Sequence, residues 1–229
     1  MSRQTTLSSF LLAALFLSLA PAGAQFSQQG SKLVGAGAAG VSNQGFSVAL
    51  SADGNTAIVG GQADSNLVGA AWIYTRSAGV WTQQGNKLVG TGGAGQQYQG
   101  ISVALSADGN TAIVGGYLDS ATGAAWVFTR SGSIWTQEGN KLVGTGGTGQ
   151  QYQGTSVALS ADGNTALVGG LGDQANKGAA WVFTRSGGVW TQQGGKLVGS
   201  GAVGTAHQGT AVSLSADGNT AVVGGYSDN

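Results

Sequence analysis

One fifteen-residue phrase recurs four times along this chain and limits its possible folds more than any other feature. It reads Ser-Val-Ala-Leu-Ser-Ala-Asp-Gly-Asn-Thr-Ala-Leu-Val-Gly-Gly at residues 156–170. Its Ser-Ala-Asp-Gly-Asn-Thr core starts at Ser51, Ser106, Ser160 and Ser215, at intervals of 55, 54 and 55 residues. A fixed period of that size marks a stack of like supersecondary units, each burying its apolar side only against its neighbours. Within each copy apolar residues alternate (Phe46, Val48, Leu50; Ile101, Val103, Leu105), the period-2 signal of a strand with one buried face. Asp-Gly follows each time, at Asp53-Gly54, Asp108-Gly109, Asp162-Gly163 and Asp217-Gly218, and then a second apolar run. Asp-Gly between two strands predicts a tight hairpin with a type I′ turn, in which both residues take φ > 0.

In the second copy four strand-like runs follow one another, at 101–107, 111–116, 123–130 and 134–143, before a Gly/Gln-rich loop at 144–154 leads to the next copy. Four short antiparallel strands in one repeat describe a propeller blade. The expected fold is therefore an all-β propeller of four-stranded antiparallel blades, about 3.7 repeats, as a partial or open ring. A solenoid of parallel coils is the rival. Blade cores fall at about 45–90, 100–144, 154–199 and an incomplete 209–229, with a lone fourth strand at 26–34. Residues 69–116 and 123–170 differ at nine of 48 positions, and the one length change falls between second and third strands, as expected of a surface loop. The last copy stops after its second strand, so this reading expects a piece of a longer ring or a ring that does not close. Open sheet edges of that kind favour self-association.

Residues 1–24 carry one arginine, an apolar run at 10–20 and an Ala22-Gly-Ala24 exit, the pattern of a signal peptide. Export, to the periplasm or outside the cell, is the expectation, with no membrane span after cleavage. There is no cysteine, so residues 25–229 must be stabilised by their core alone. Nine basic and nine acidic residues give no footprint for nucleic acid. The 44 glycines recur at fixed places between apolar runs, which fits turns and close backbone approaches and not disorder.

The run 153–170 followed by Gly178-Ala-Ala-Trp-Val-Phe183 resembles the FG-GAP repeat of integrin α-chain propellers and bacterial secreted proteins. Here Gln-Gly (Gln44-Gly45, Gln99-Gly100, Gln153-Gly154, Gln208-Gly209) stands in place of Phe-Gly, and Gly-Gly in place of Gly-Ala-Pro. The resemblance spans residues 26–229 and implies a parent ring of six or seven blades. It also implies calcium at the first hairpin, at Asp53, Asp108, Asp162 and Asp217. Each of these loops holds a single carboxylate, whereas Ca²⁺ takes six to eight oxygens, so the expected role is that of turn formers and no cofactor is expected.

Six tryptophans at repeat spacing (Trp72, Trp126, Trp181; Trp81, Trp135, Trp190) are read as packing between blades, with sugar stacking as the alternative. Lys87, Lys141 and Lys196, like Arg76, Arg130 and Arg185, read as solubility and edge protection. Function is expected in the loops. A meander brings the loops joining strand two to three and strand four to the next strand one to the same end. That end would gather Tyr98, Tyr152 and His207 with Asp64, Asp119, Asp173 and Asp228 as a ligand surface, with Gln96, Gln97, Gln150 and Gln151 for hydrogen bonds. The lone histidine replaces a tyrosine, and the near-identical repeats leave Asp119 and Asp173 no division of labour as acid and base. The expected function is therefore non-catalytic: binding or adhesion to a glycan or protein. A purely structural array is the alternative, and a propeller glycosidase or lyase a distant third.

Overall fold

The computed structural model describes residues 27–228. The expected signal peptide, and the start of the expected lone strand at Phe26, lie outside the described residues. Residues 27–34 carry no strand. Those aligned with the fourth strands of other units are 25–28, half of them outside the description.

Each copy folds as the alternation dictates. The first unit is β1 (Ser47–Leu50), β2 (Thr56–Gly61), β3 (Ala70–Ser77) and β4 (Val80–Gln83). The second is β5 (Ser102–Leu105), β6 (Thr111–Gly116), β7 (Ala124–Ser131) and β8 (Ile134–Gln137). The third is β9 (Gln153–Leu159), β10 (Thr165–Gly170), β11 (Ala179–Ser186) and β12 (Val189–Gln192), and the fourth holds β13 (Ala211–Leu214) and β14 (Ala221–Gly224). Among the described residues these make three four-stranded antiparallel sheets in simple meander order and one two-stranded sheet. The chain is all-β, and its pairing rules out parallel coils within a unit. No helix among the described residues is long and apolar enough to cross a membrane.

Successive sheets pack face to face. The pleat sends alternate side chains to opposite faces, so Val114 turns toward the first unit and Ile113 toward the third. Ile58, Ala71, Ile73 and Leu88 meet Val103, Ala112, Val114, Trp126 and Phe128. Ile113, Ala125, Val127 and Leu142 meet Val157, Ala166, Val168, Trp181 and Phe183. The first strands of neighbouring units are also joined by backbone bonds through their hairpins: Ala52 N–H to Ala107 O, Ala107 N–H to Ala161 O and Ala161 N–H to Ala216 O, at 2.8–2.9 Å. Two faces lie outside this sandwich. Val48 is 68% exposed and Val222 66%, whereas their counterparts Val103 and Leu167 are 9% and 0% exposed.

Two local expectations are corrected. The hairpin is not a type I′ turn, because only the glycine takes positive φ (Gly54, 67°). The Asp53 carboxylate instead bonds Ser51 Oγ and the Asn55 N–H (2.9 Å), while Gly54 N–H reaches Ser51 O at 3.0 Å. The side chain thereby closes a longer loop and leaves aspartate in ordinary backbone space. The fourth strand is also shorter than the strand-like run expected at 134–143. It breaks after Gln137, where Gly139 takes φ 70°, and only Leu142 rejoins, as a bridge to Ala125.

Candidate functional site

The loops between second and third strands begin with Asp64, Asp119 and Asp173 and then wind left-handed. Ser65 and Asn66 have φ 51° and 59°, Ser120 has 49°, and Gln174 and Ala175 have 49° and 55°. Left-handed turns of non-glycine residues cost roughly 1–2 kcal/mol per residue, so something must hold them. The aspartate does so. Asp64 Oδ1 accepts the Ala39 N–H at 2.7 Å, and its Oδ2 pairs with Lys87 Nζ and accepts the Ser65 hydroxyl at 2.9 Å. Asp119 does the same with the Ala94 N–H and Lys141, and Asp173 with the Thr148 N–H and Lys196. All three carboxylates are buried. Burial pushes the Asp64 carboxyl up, but the hydrogen bonds from Lys87, Ala39 and Ser65, with the Lys87 charge, outweigh it and hold Asp64 below the usual range.

Each left-handed turn then receives the next unit. Leu67 O accepts the Gln97 and Tyr98 N–H groups at 3.0 and 2.9 Å, and Asn176 O accepts the His207 N–H at 2.9 Å. Tyr98, Tyr152 and His207 themselves stand at φ 58°, 57° and 54°. Bulky residues in that region are held by their surroundings, and such outliers cluster at functional sites. The rings meet at one end of the sheets. Tyr98 lies 5.3 Å from Tyr117 and Tyr117 lies 5.9 Å from Tyr152, centroid to centroid, at tilts of 57° and 60°. His207 stacks on Tyr226 at 4.8 Å and 12°. Burial, then the neighbouring Tyr98 and Tyr152, push the Tyr117 phenol above its usual value. The Tyr152 hydroxyl and Gln150 Oε1 are 2.8 Å apart, and Gln96 and Gln150 face solvent.

Compared with known proteins, this chain matches no family model and no curated sequence. Its chemistry therefore rests on this geometry.

The tyrosines and the histidine expected at this end are all there, but in two groups. The aspartates expected beside them are a correction: Asp64, Asp119 and Asp173 spend their oxygens on internal cations and N–H groups, and offer a ligand nothing. Lys87, Lys141 and Lys196 are likewise ion-pair partners and not edge guards. Gln97 and Gln151 turn inward to Gln99 and Gln153. Asp228 is exposed and takes the Val203 N–H at 2.8 Å. At the opposite end, Asp53, Asp108, Asp162 and Asp217 each accept from a serine hydroxyl, an asparagine N–H and an asparagine amide. Those carboxylates are filled by donors, which is turn chemistry. Among the described residues no three acidic or histidine side chains gather as a metal site. Trp72, Trp126 and Trp181 are fully buried, as expected of packing residues. Trp81, Trp135 and Trp190 lie under Arg76, Arg130 and Arg185 at 5.4–5.5 Å. Sequence reasoning missed Tyr117 and Tyr226. Their signal is the position after each Gly-Gly, where Gln62, Tyr117, Leu171 and Tyr226 stand, two of them aromatic.

Proposed function

We propose that the stacked sheets are blades of an exported FG-GAP-like β-propeller whose loop end binds an extended ligand, a glycan in the first place, without catalysis. The observation that carries this reading is the Tyr98–Tyr117–Tyr152 cluster, three part-exposed rings held together by strained backbone, with the His207–Tyr226 stack as a second group in the next unit. Aromatic faces stack on the apolar faces of sugar rings, and exposed amides such as Gln96 and Gln150 suit hydroxyl groups. The sheets' face-to-face packing through alternating residues supports the blade reading. The non-catalytic reading is supported by Asp119 and Asp173 having like partners, each a lysine and a backbone N–H, so that neither is set apart as acid or base.

A glycan array with the folded protein tests the proposal. Retained glycans should lose at least about tenfold in affinity, or about 1.4 kcal/mol, in the Tyr98→Ala/Tyr152→Ala variant, with circular dichroism unchanged. Retention of no glycan, or retention indifferent to the double substitution, overturns it.

A further inference from the structure

A groove of about 460 Å³ runs along the outer rim between the second and third units. The segment Glu138–Lys141, where the chain leaves β8, lines one side, and Gly188–Trp190, at the start of β12, lines the other. Leu142 and Phe183 are buried beneath it. Both units are packed between neighbours, so this place is one where two finished sheets meet.

Glu138 is the one glutamate of the chain. The first unit has Gln84 at that position. Gln84 Oε1 accepts Arg130 Nη1 at 3.2 Å and Trp135 Nε1 at 2.9 Å from the next unit. Glu138 makes the same two contacts through Oε2 alone, with Arg185 Nη1 at 2.8 Å and Trp190 Nε1 at 2.9 Å. Docking of the sheets therefore does not need the carboxylate. What the exchange alters is the second atom: a glutamine has an N–H donor there, whereas Glu138 has a second acceptor. That Oε1 lies 3.8 Å from where a Cβ on Gly188, on the other side of the groove, would stand.

Charge then selects the occupant. The only charged side chains lining the groove are Glu138 and Lys141, and they are paired with Arg185 and Asp119. An ionic ligand would meet no unpaired opposite charge. The groove offers instead an apolar floor, the Oε1 acceptor and the exposed Asn140 amide, which both donates and accepts. Arg185 lies over the Trp190 ring at 5.4 Å but does not line the groove, so a ligand meets the indole from another side. A neutral pyranose fits this set, with C–H groups for the indole and hydroxyls for the carboxylate and amide. The volume is in the range of about 300–1,000 Å³ usual for small-ligand sites.

We propose that this groove is a second carbohydrate site, apart from the loop-end tyrosines, that takes one neutral pyranose. The sugar ring rests against Trp190 and a hydroxyl donates to Glu138 Oε1.

The Trp190 indole N–H, held by Glu138, is the natural probe. Its peak in a proton–nitrogen correlation spectrum of the protein is assigned by its loss in Trp190→Phe. Methyl glycosides of glucose, galactose and mannose are titrated to about 50 mM, enough to saturate a site with a Kd of about 1 mM. At least one should move that peak saturably. Glu138→Gln/Asn140→Gly takes both replacements from the same positions in other units, Gln84 and Gly195, and so keeps the fold. It should bind at least about fivefold more weakly, since a charged acceptor is lost. Tyr98→Ala/Tyr152→Ala should bind as the unaltered protein does, so this site and the loop end succeed or fail separately. A peak that no neutral glycoside moves, equal binding by Glu138→Gln/Asn140→Gly, or binding lost with the two tyrosines overturns the proposal. Tighter binding of methyl glucuronide or methyl glucosaminide than of every neutral glycoside overturns the choice of ligand.

Discussion

A carboxylate that accepts several hydrogen bonds keeps its charge into strong acid, and the hairpin aspartates do this at every repeat. The Ser51 hydroxyl, the Asn55 N–H and the Asn55 amide bring Asp53 down from 3.8 to about 2. The same groups in other copies lower Asp162 and Asp217, and at Asp108 they outweigh an opposing effect of burial. A folded-state value below the unfolded one gives stability that is full above the unfolded value and is lost as pH falls through the folded one. Thermal midpoints should therefore hold down to about pH 4 and drop between about pH 4 and 2, with a shallower slope in Asp53→Asn. The loop-end aspartates obey a harsher rule. Asp119 is buried against Lys141, so Lys141→Met strands a charge and should cost about 3–5 kcal/mol in urea denaturation. Adding Asp119→Leu should recover part of that loss, because the stranded charge goes with it.

At the scale of elements, a buried tryptophan ties sheet to loop. Trp126 is fully buried and hydrogen-bonded through its indole N–H to Thr91 O, so Trp126→Ala should cost about 3–5 kcal/mol by chemical denaturation. The strands themselves were legible from alternation: β6 spans residues 111–116 as the pattern predicts. Two features were not. Aspartate-glycine suggests a turn with both residues at positive φ, but the competing Asp53 side-chain bonds to Ser51 and Asn55 are a matter of three-dimensional closure. The break after Gln137 was passed over inside the strand-like run 134–143 because its mark, Glu138-Gly139-Asn140 with Gly139 at φ 70°, is easily missed in a chain where glycine is everywhere. At the loop end, rings at a fixed position could be read as a surface. The fate of Asp64, Asp119 and Asp173 could not, since it depends on lysines some 22–23 residues away that fold back over the turn.

The whole molecule is a row of sheets in which burial depends on having a neighbour. The same valine is 9% exposed at Val103 and Val157 and 68% exposed at Val48, although its local sequence barely changes. Val48, Leu50, Val59, Leu33 and Trp81 line one apolar depression of about 460 Å³ on the first sheet's outer face. Apolar surface of this kind favours association, so position in the row and not residue type decides the effect of a charge. Val103→Lys would bury an ammonium between sheets without a partner and should unfold the chain or cost about 4 kcal/mol or more. Val48→Lys should change stability by no more than about 0.5 kcal/mol. Sedimentation velocity should show concentration-dependent association of the unaltered protein, and less of it in Val48→Lys. A wild-type chain that stays monomeric as its concentration rises, or a Val48→Lys chain that associates as strongly, would mean that this face is not sticky in solution. Equal destabilisation by the two lysines would mean that the sheets do not shelter one another in the order described.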